Sequence, residues 1–212
     1  MSFGKVLIFG DSYSTFNGWI PEGHACYYPP TLAERPMIDK VEDTWWHSLI
    51  TETGSELVLN ESWSGSTIGY TGYGGADTSK TSSFIIRLRR MLANGFFDKE
   101  KIDTVFVFGG TNDSWSDAPV GELKFENRTE ADLYFVLPGI CEFLEGLKAA
   151  LPNARIICLI NSELKDKITE DMKSACKHYG IEYLALSDID KKSDHPTVLG
   201  MKAIKEQILK TF

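Results

Sequence analysis

Four short stretches carry the side chains that acyl chemistry uses: a hydroxyl, an imidazole and an amide, with glycines beside them. Gly10-Asp11-Ser12 follows an apolar run at 5–9. A serine placed there stands at the mouth of a crevice, where the free N–H groups of a helix start favour negative charge. It could equally be the cap of a strand-to-helix turn. Gly65, in Asn60-Glu61-Ser62-Trp63-Ser64-Gly65, permits close backbone approach to a ligand and can aim an N–H at it. A plain glycine turn is the other reading. Asn112, in Gly109-Gly110-Thr111-Asn112-Asp113, offers a neutral amide donor, useful to an oxyanion and also for bracing a loop. His195 precedes the last helical pattern in Asp194-His195-Pro196, with Pro196 restricting its approach. His24, His47 and His178 lie far apart and read as ordinary surface histidines.

These residues must be positioned by an alternating set of elements. Apolar or β-branched runs at 5–9, 56–60, 103–108, 155–160 and 181–186 lack polar alternation, which suits strands covered on both faces. Helical patterns lie between them, at 44–53, 82–93, 133–147, 169–179 and 197–209. Gly54, Asn94-Gly95 and Gly180 supply stop signals. Thr129-Glu130-Ala131-Asp132 reads as a capping box for the third helix, and Pro138 inside that pattern predicts a kink or a late start. Strand–helix alternation predicts a single α/β domain over 1–212. Its expected architecture is a three-layer α/β/α sandwich on a five-stranded parallel sheet with flavodoxin-like order 2-1-3-4-5. Long loops at 12–41, 62–80 and 109–128 all begin at carboxyl ends of strands, where open α/β sheets bind ligands. They point to one site.

Composition narrows the function classes. The 212 residues are 42% hydrophobic and 25% charged, enough for one sizeable core, and 22 basic against 30 acidic side chains leave a net charge of −8. Without a basic block, neither nucleic acid nor an anionic membrane surface is an expected partner. No apolar run approaches the roughly 20 residues of a membrane helix. Met1 leads straight into Val6-Leu7-Ile8-Phe9 without a signal-like stretch, so a cytoplasmic location is expected. Cys26, Cys141, Cys158 and Cys176 form no C-x-x-C pair and read as free thiols, and no Cys/His cluster suggests a metal.

The four stretches occur in a fixed order. Gly-Asp-Ser follows the first strand, Asn-x-x-x-x-Gly the second and Gly-x-Asn-Asp the third, and His-Pro precedes the last helix. In order and placement the chain resembles the SGNH/GDSL hydrolase family, whose motif blocks span nearly the whole sequence. The resemblance implies Ser12 as nucleophile and His195 as general base. It also implies an oxyanion hole from the Ser12 and Gly65 N–H groups plus the Asn112 side chain, and no cofactor. The G-x-S-x-G elbow of ordinary α/β-hydrolases is absent. One position departs from the family pattern, which has Asp three residues before the histidine; here it is Lys192, which cannot accept a hydrogen bond. Asp190 serves if the loop bulges, Asp194 is adjacent, and a backbone carbonyl within 189–193 is the third acceptor in reach.

Aromatic residues crowd the long loops. Tyr13, Trp63 and Trp115 are the ones expected to touch substrate, by stacking on a sugar ring or covering a short acyl chain. The function expected is hydrolysis of acetyl or other short acyl esters of a carbohydrate or small molecule. Lysophospholipase or thioesterase activity and a non-catalytic flavodoxin-like binding module are the alternatives. Gly72-Tyr73-Gly74-Gly75 lacks the G-x-G-x-x-G spacing of a dinucleotide site.

Overall fold

Strands β1 (Lys5–Gly10), β2 (Glu56–Ser62), β3 (Thr104–Phe108), β4 (Arg155–Ile160) and β5 (Glu182–Ala185) form one parallel sheet. Their order is β2-β1-β3-β4-β5, as the alternation predicts. The computed structural model describes residues 2–30 and 38–212, so the part of the first long loop at 31–37 lies outside it. Consecutive apolar residues in β1 are explained by burial on both faces. Leu7 and Phe9 pack with Phe84, Leu88, Ile140 and Phe143, from α2 (Phe84–Ala93) and α5 (Val136–Ala150). Val6 and Ile8 pack with Trp45, Leu49, Met201 and Ile204, from α1 (Trp45–Thr53) and α7 (Val198–Thr211). Alternation between two cores, rather than between core and water, removes the polar positions from the strand.

Local chemistry sets the helix ends. The hydroxyls of Thr44, Ser83 and Thr197 accept from the N–H groups of His47, Ile86 and Gly200, so α1, α2 and α7 begin where free N–H groups find an acceptor. The Thr129 hydroxyl and N–H both donate to the Asp132 carboxylate, at 2.7 and 2.6 Å. That box precedes only a short 3-10 turn, Asp132–Tyr134. α5 starts later, at Val136, so Pro138 falls in the first turn, where its missing N–H costs no helical bond. Helix α6 (Asp166–Tyr179) starts before the predicted Thr169. Short helices α3 (Phe96–Lys99) and α4 (Thr111–Trp115) and an antiparallel ribbon, β6 (Lys191–Lys192) with β7 (His195–Pro196), have no sequence period and were not expected. Among the described residues no helix is long and apolar enough to cross a membrane. Cys141, Cys158 and Cys176 are buried free thiols and Cys26 is exposed.

Candidate active site

The chain leaves β1 through a 3-10 turn, Ser12–Ser14, capped by Asp11, whose Oδ1 accepts from the Tyr13 N–H at 3.0 Å. The Asp11 N–H reaches the Phe108 carbonyl at 3.2 Å, so the turn is anchored on the neighbouring strand. Ser12 Oγ lies 3.0 Å from Nε2 of His195, across 183 residues of sequence. His195 opens β7, and the turn between β6 and β7 is Ser193-Asp194, with φ of 48° and 61°. Two successive left-handed residues make the tight primed turn of a hairpin, at a conformational cost for side chains other than glycine. The result is that the Ser193 carbonyl sits 3.0 Å from His195 Nδ1. A carbonyl only accepts, so Nδ1 carries the proton and Nε2 turns its lone pair to the Ser12 hydroxyl.

Packing holds the ring. Tyr27 stacks on His195 with centroids 3.6 Å apart and planes within 5°. Tyr13 lies at 5.3 Å and Trp115 at 6.1 Å from the same ring. The Tyr13 hydroxyl donates to the Asp194 carbonyl, and the Tyr28 hydroxyl to the Pro196 carbonyl at 2.9 Å. Lys191 Nζ crosses to the carboxyl end of β4, 3.0 Å from both Ser162 Oγ and Glu163 Oε2. The ribbon is therefore bolted on both sides of the histidine.

Asp190 is placed elsewhere. Because 191–192 run as strand β6, Asp190 sits at the far end of the ribbon from the turn. Its carboxylate accepts from the Thr197 hydroxyl, and its carbonyl from the Thr197 N–H at 3.0 Å. It secures the start of α7, while the carbonyl of Ser193 faces Nδ1.

Loops two and three supply the opposite wall. Gly65 has φ 78°, a conformation favourable to glycine, in the turn closed by the Ser66 N–H on the Trp63 carbonyl at 3.2 Å. Asn112, in α4, donates from Nδ2 to the Ser66 carbonyl at 2.9 Å. Its neighbour Asp113 accepts from the N–H groups of Ile68 and Gly69, at 2.9 and 3.2 Å. Beneath them Arg87, fully buried, donates to the Gly10 carbonyl and the Ser66 hydroxyl, at 3.3 and 3.2 Å, and to the Glu61 carbonyl. Burial pushes its pKa down to about 10, opposed by Glu61 and Asp11, so it stays charged. One guanidinium thus joins the ends of β1 and β2 to loop two. No sequence period identifies this role.

Ser12, Gly65, Asn112 and His195 line one cavity of about 350 Å³. Tyr27, Tyr73 and Trp115 are its aromatic wall. Of the aromatics expected at the substrate, Trp115 lines this cavity. Tyr13 is fully buried below His195, since its hydroxyl is used to hold the ribbon turn. Trp63 lies against His24 at 4.2 Å, away from the cavity wall. Tyr27 and Tyr73 line it instead; the aromatic content of loops one and two was the available signal. Among the described residues no group of three or more His, Cys, Asp or Glu could hold a metal ion.

Burial raises two carboxyl groups behind the site, Asp11 to about 7 and Asp113 to about 6. For Asp11 the Tyr13 N–H and the Thr111 hydroxyl oppose the shift, and Asp113 adds to it. An acid whose folded pKa exceeds its unfolded value binds protons more tightly when folded. Its contribution to stability is complete below the unfolded value of 3.8 and is lost as pH rises through about 7. Asp11→Asn keeps an acceptor for Tyr13 and removes the ionisation. Thermal unfolding is expected to show that the variant loses less stability than the parent between pH 5 and pH 8. Parallel curves would mean that Asp11 does not titrate in that window.

The sequence profile of the GDSL-like Lipase/Acylhydrolase family matches residues 4–212. The chain is 44% identical to a Bacteroides uniformis protein designated a GDSL-like lipase; the match covers 98% of this chain and 94% of that one, with a TM-score of 0.89. A Bacteroides ovatus protein of the same designation is 38% identical over 98% of this chain and 96% of that one, with a TM-score of 0.88. An acetyl xylan esterase from Butyrivibrio proteoclasticus, at 16% identity, shares the fold with a TM-score of 0.62, over 98% of this chain and 62% of that one. No curated protein matches the chain.

Proposed function

The chain belongs to the GDSL-like lipase/acylhydrolase family, and we propose that within it this protein is a serine esterase removing acetyl or other short acyl groups from a carbohydrate or small-molecule ester. The observation that carries this reading is the 3.0 Å contact of Ser12 Oγ with His195 Nε2 on a cavity also lined by Gly65 and Asn112. Nε2 takes the Ser12 proton as Oγ attacks the ester carbonyl. The negative oxygen of the tetrahedral intermediate is met by the N–H groups of Ser12 and Gly65 and by Asn112 Nδ2. The imidazolium then protonates the departing alcohol, and water cleaves the acyl-enzyme along the reverse proton path. The Ser193 carbonyl accepts from Nδ1 and orients the imidazole.

The cavity supports a small ester. At about 350 Å³ it lies near the lower end of small-molecule sites, and Ser64, Asn112 and Asp194 share its wall with aromatic rings. Hydroxyl, amide and carboxylate groups beside flat rings suit a sugar better than a long alkyl chain. The fold shared with an acetyl xylan esterase fits the same alcohol class. Hydrolysis of p-nitrophenyl esters tests the reading: kcat/KM is expected to fall at least about tenfold from acetate to octanoate, as each methylene outgrows the pocket. Rates that rise with chain length would transfer the assignment to lysophospholipid or thioester substrates. No turnover of any ester would leave a binding module.

A further inference from the structure

The Gly72-Tyr73-Gly74-Gly75 stretch adds one ring to the cavity wall and gives no group to the proton transfers above, yet its turn is closed by its own hydrogen bonds. Its N–H groups close on themselves: Gly72 to the Ala76 carbonyl at 2.8 Å, Gly75 to the Gly72 carbonyl at 3.1 Å and Ala76 to the Tyr73 carbonyl at 3.2 Å. Thr71 and Asp77 pair across its base. Gly74 and Gly75 hold φ of 64° and 76°, successive left-handed conformations that favour glycine at both positions. The one large side chain of the turn is Tyr73, which is 47% exposed on the rim of the cavity. The Tyr73 hydroxyl donates to Asn112 Oδ1 at 2.9 Å.

We propose that Tyr73 is a positioning residue for the oxyanion hole, its hydroxyl holding the Asn112 amide so that Nδ2 faces the ester. The proposal rests on the reading of Asn112 as an oxyanion donor. The two ends of an asparagine amide have nearly the same shape, so partners alone decide its orientation and stiffness. The Ser66 carbonyl accepts one Nδ2 hydrogen, which directs that end of the amide. The other hydrogen remains for the substrate. With Oδ1 also engaged, the amide is held at both ends; without Tyr73 it keeps a single anchor and is free to swing about its terminal torsion. Donation to Oδ1 also polarises the amide and makes its N–H groups better donors. Burial, with Asp11, Asp113 and Asp194 adding to it, pushes the Tyr73 phenol up to about 12, so it remains a donor throughout the range in which esterases are assayed.

The test is a double-mutant cycle of Tyr73→Phe and Asn112→Ala, with p-nitrophenyl acetate as substrate. Loss of one neutral hydrogen bond predicts a fall in kcat of about three- to tenfold for Tyr73→Phe, with KM within about twofold and the thermal midpoint lowered by no more than about 4 °C. In the Asn112→Ala background the same substitution is expected to cost less than about 1.5-fold, because its effect passes through the amide. A fall of less than about twofold in the parent, beside an impaired Asn112→Ala, overturns the proposal and leaves the hole intact. An equal loss in both backgrounds also overturns it, since Tyr73 would then act independently of Asn112. If Asn112→Ala itself turns over at the parental rate, the oxyanion reading fails and the proposal fails with it.

Discussion

Ser12→Ala and His195→Ala are each expected to lower kcat on p-nitrophenyl acetate by at least about 10³-fold, and the double variant by little more than either alone. Nucleophile and base act as one unit, so removing the second after the first has little left to remove. A fluorophosphonate should label Ser12 in the parent protein, and mass spectrometry of a peptide containing 12 would locate the adduct. In the same assay Asp190→Asn is expected to stay within about threefold of the parent. Its carboxylate is engaged by Thr197 at the start of α7, and an amide oxygen can replace it there. Asp194→Asn is expected to behave likewise, because its carbonyl, retained in the variant, is the atom that Tyr13 holds. A loss beyond about 10²-fold in either aspartate variant would restore a carboxylate to the triad, where its amidation costs about 10⁴-fold in a serine protease. Labelling away from Ser12, or an active Ser12→Ala protein, would remove covalent catalysis at this site altogether.

The second large effect belongs to Asn112. Asn112→Ala is expected to reduce kcat by roughly 10²–10³-fold, the cost of one oxyanion donor, with a smaller change in KM. The sign of the split follows from timing: the donor meets charge that exists only in the transition state, so ground-state binding is little affected. Some stability is lost as well, because Nδ2 also ties α4 to the Ser66 carbonyl at 2.9 Å. That bond contributes about 1 kcal/mol, too little to unfold the domain. Thermal melting read beside the kinetics separates the two effects. A fall in kcat of less than about threefold would reduce Asn112 to a brace between loops two and three.

Sequence alone determined the layers and the stations along the sheet. The runs that became β1, β3 and β4 are apolar at successive positions, and the structure buries Leu7 and Phe9 in one core and Val6 and Ile8 in the other. That pattern is local, because burial on both faces acts on every residue of a strand. Helix starts at Thr44 and Thr197 were legible for the same reason, since a cap bonds a residue three positions away, whereas the pattern read from Ser82 starts one residue later, capped by Ser83. Ser12, Gly65 and Asn112 could be placed at one end of the sheet because each lies in a loop that leaves the carboxyl end of a strand, and His195 was joined to them by the family resemblance. What faces what required the tertiary structure. The ribbon of β6 and β7 is too short to show a period, yet its turn decides that a Ser193 carbonyl rather than Asp190 meets His195. Trp63 and Tyr73 occupy the same aromatic loop, and only packing sends one to His24 and the other to Asn112. Arg87 lies in an amphipathic helix like many arginines, and its buried role appears only when the ends of β1 and β2 close around it. Apart from the Ser193 carbonyl, whose turn is local, these contacts join residues 26 to 183 positions apart, and their partners are selected by the geometry of the closed chain, which no periodicity of the open one contains.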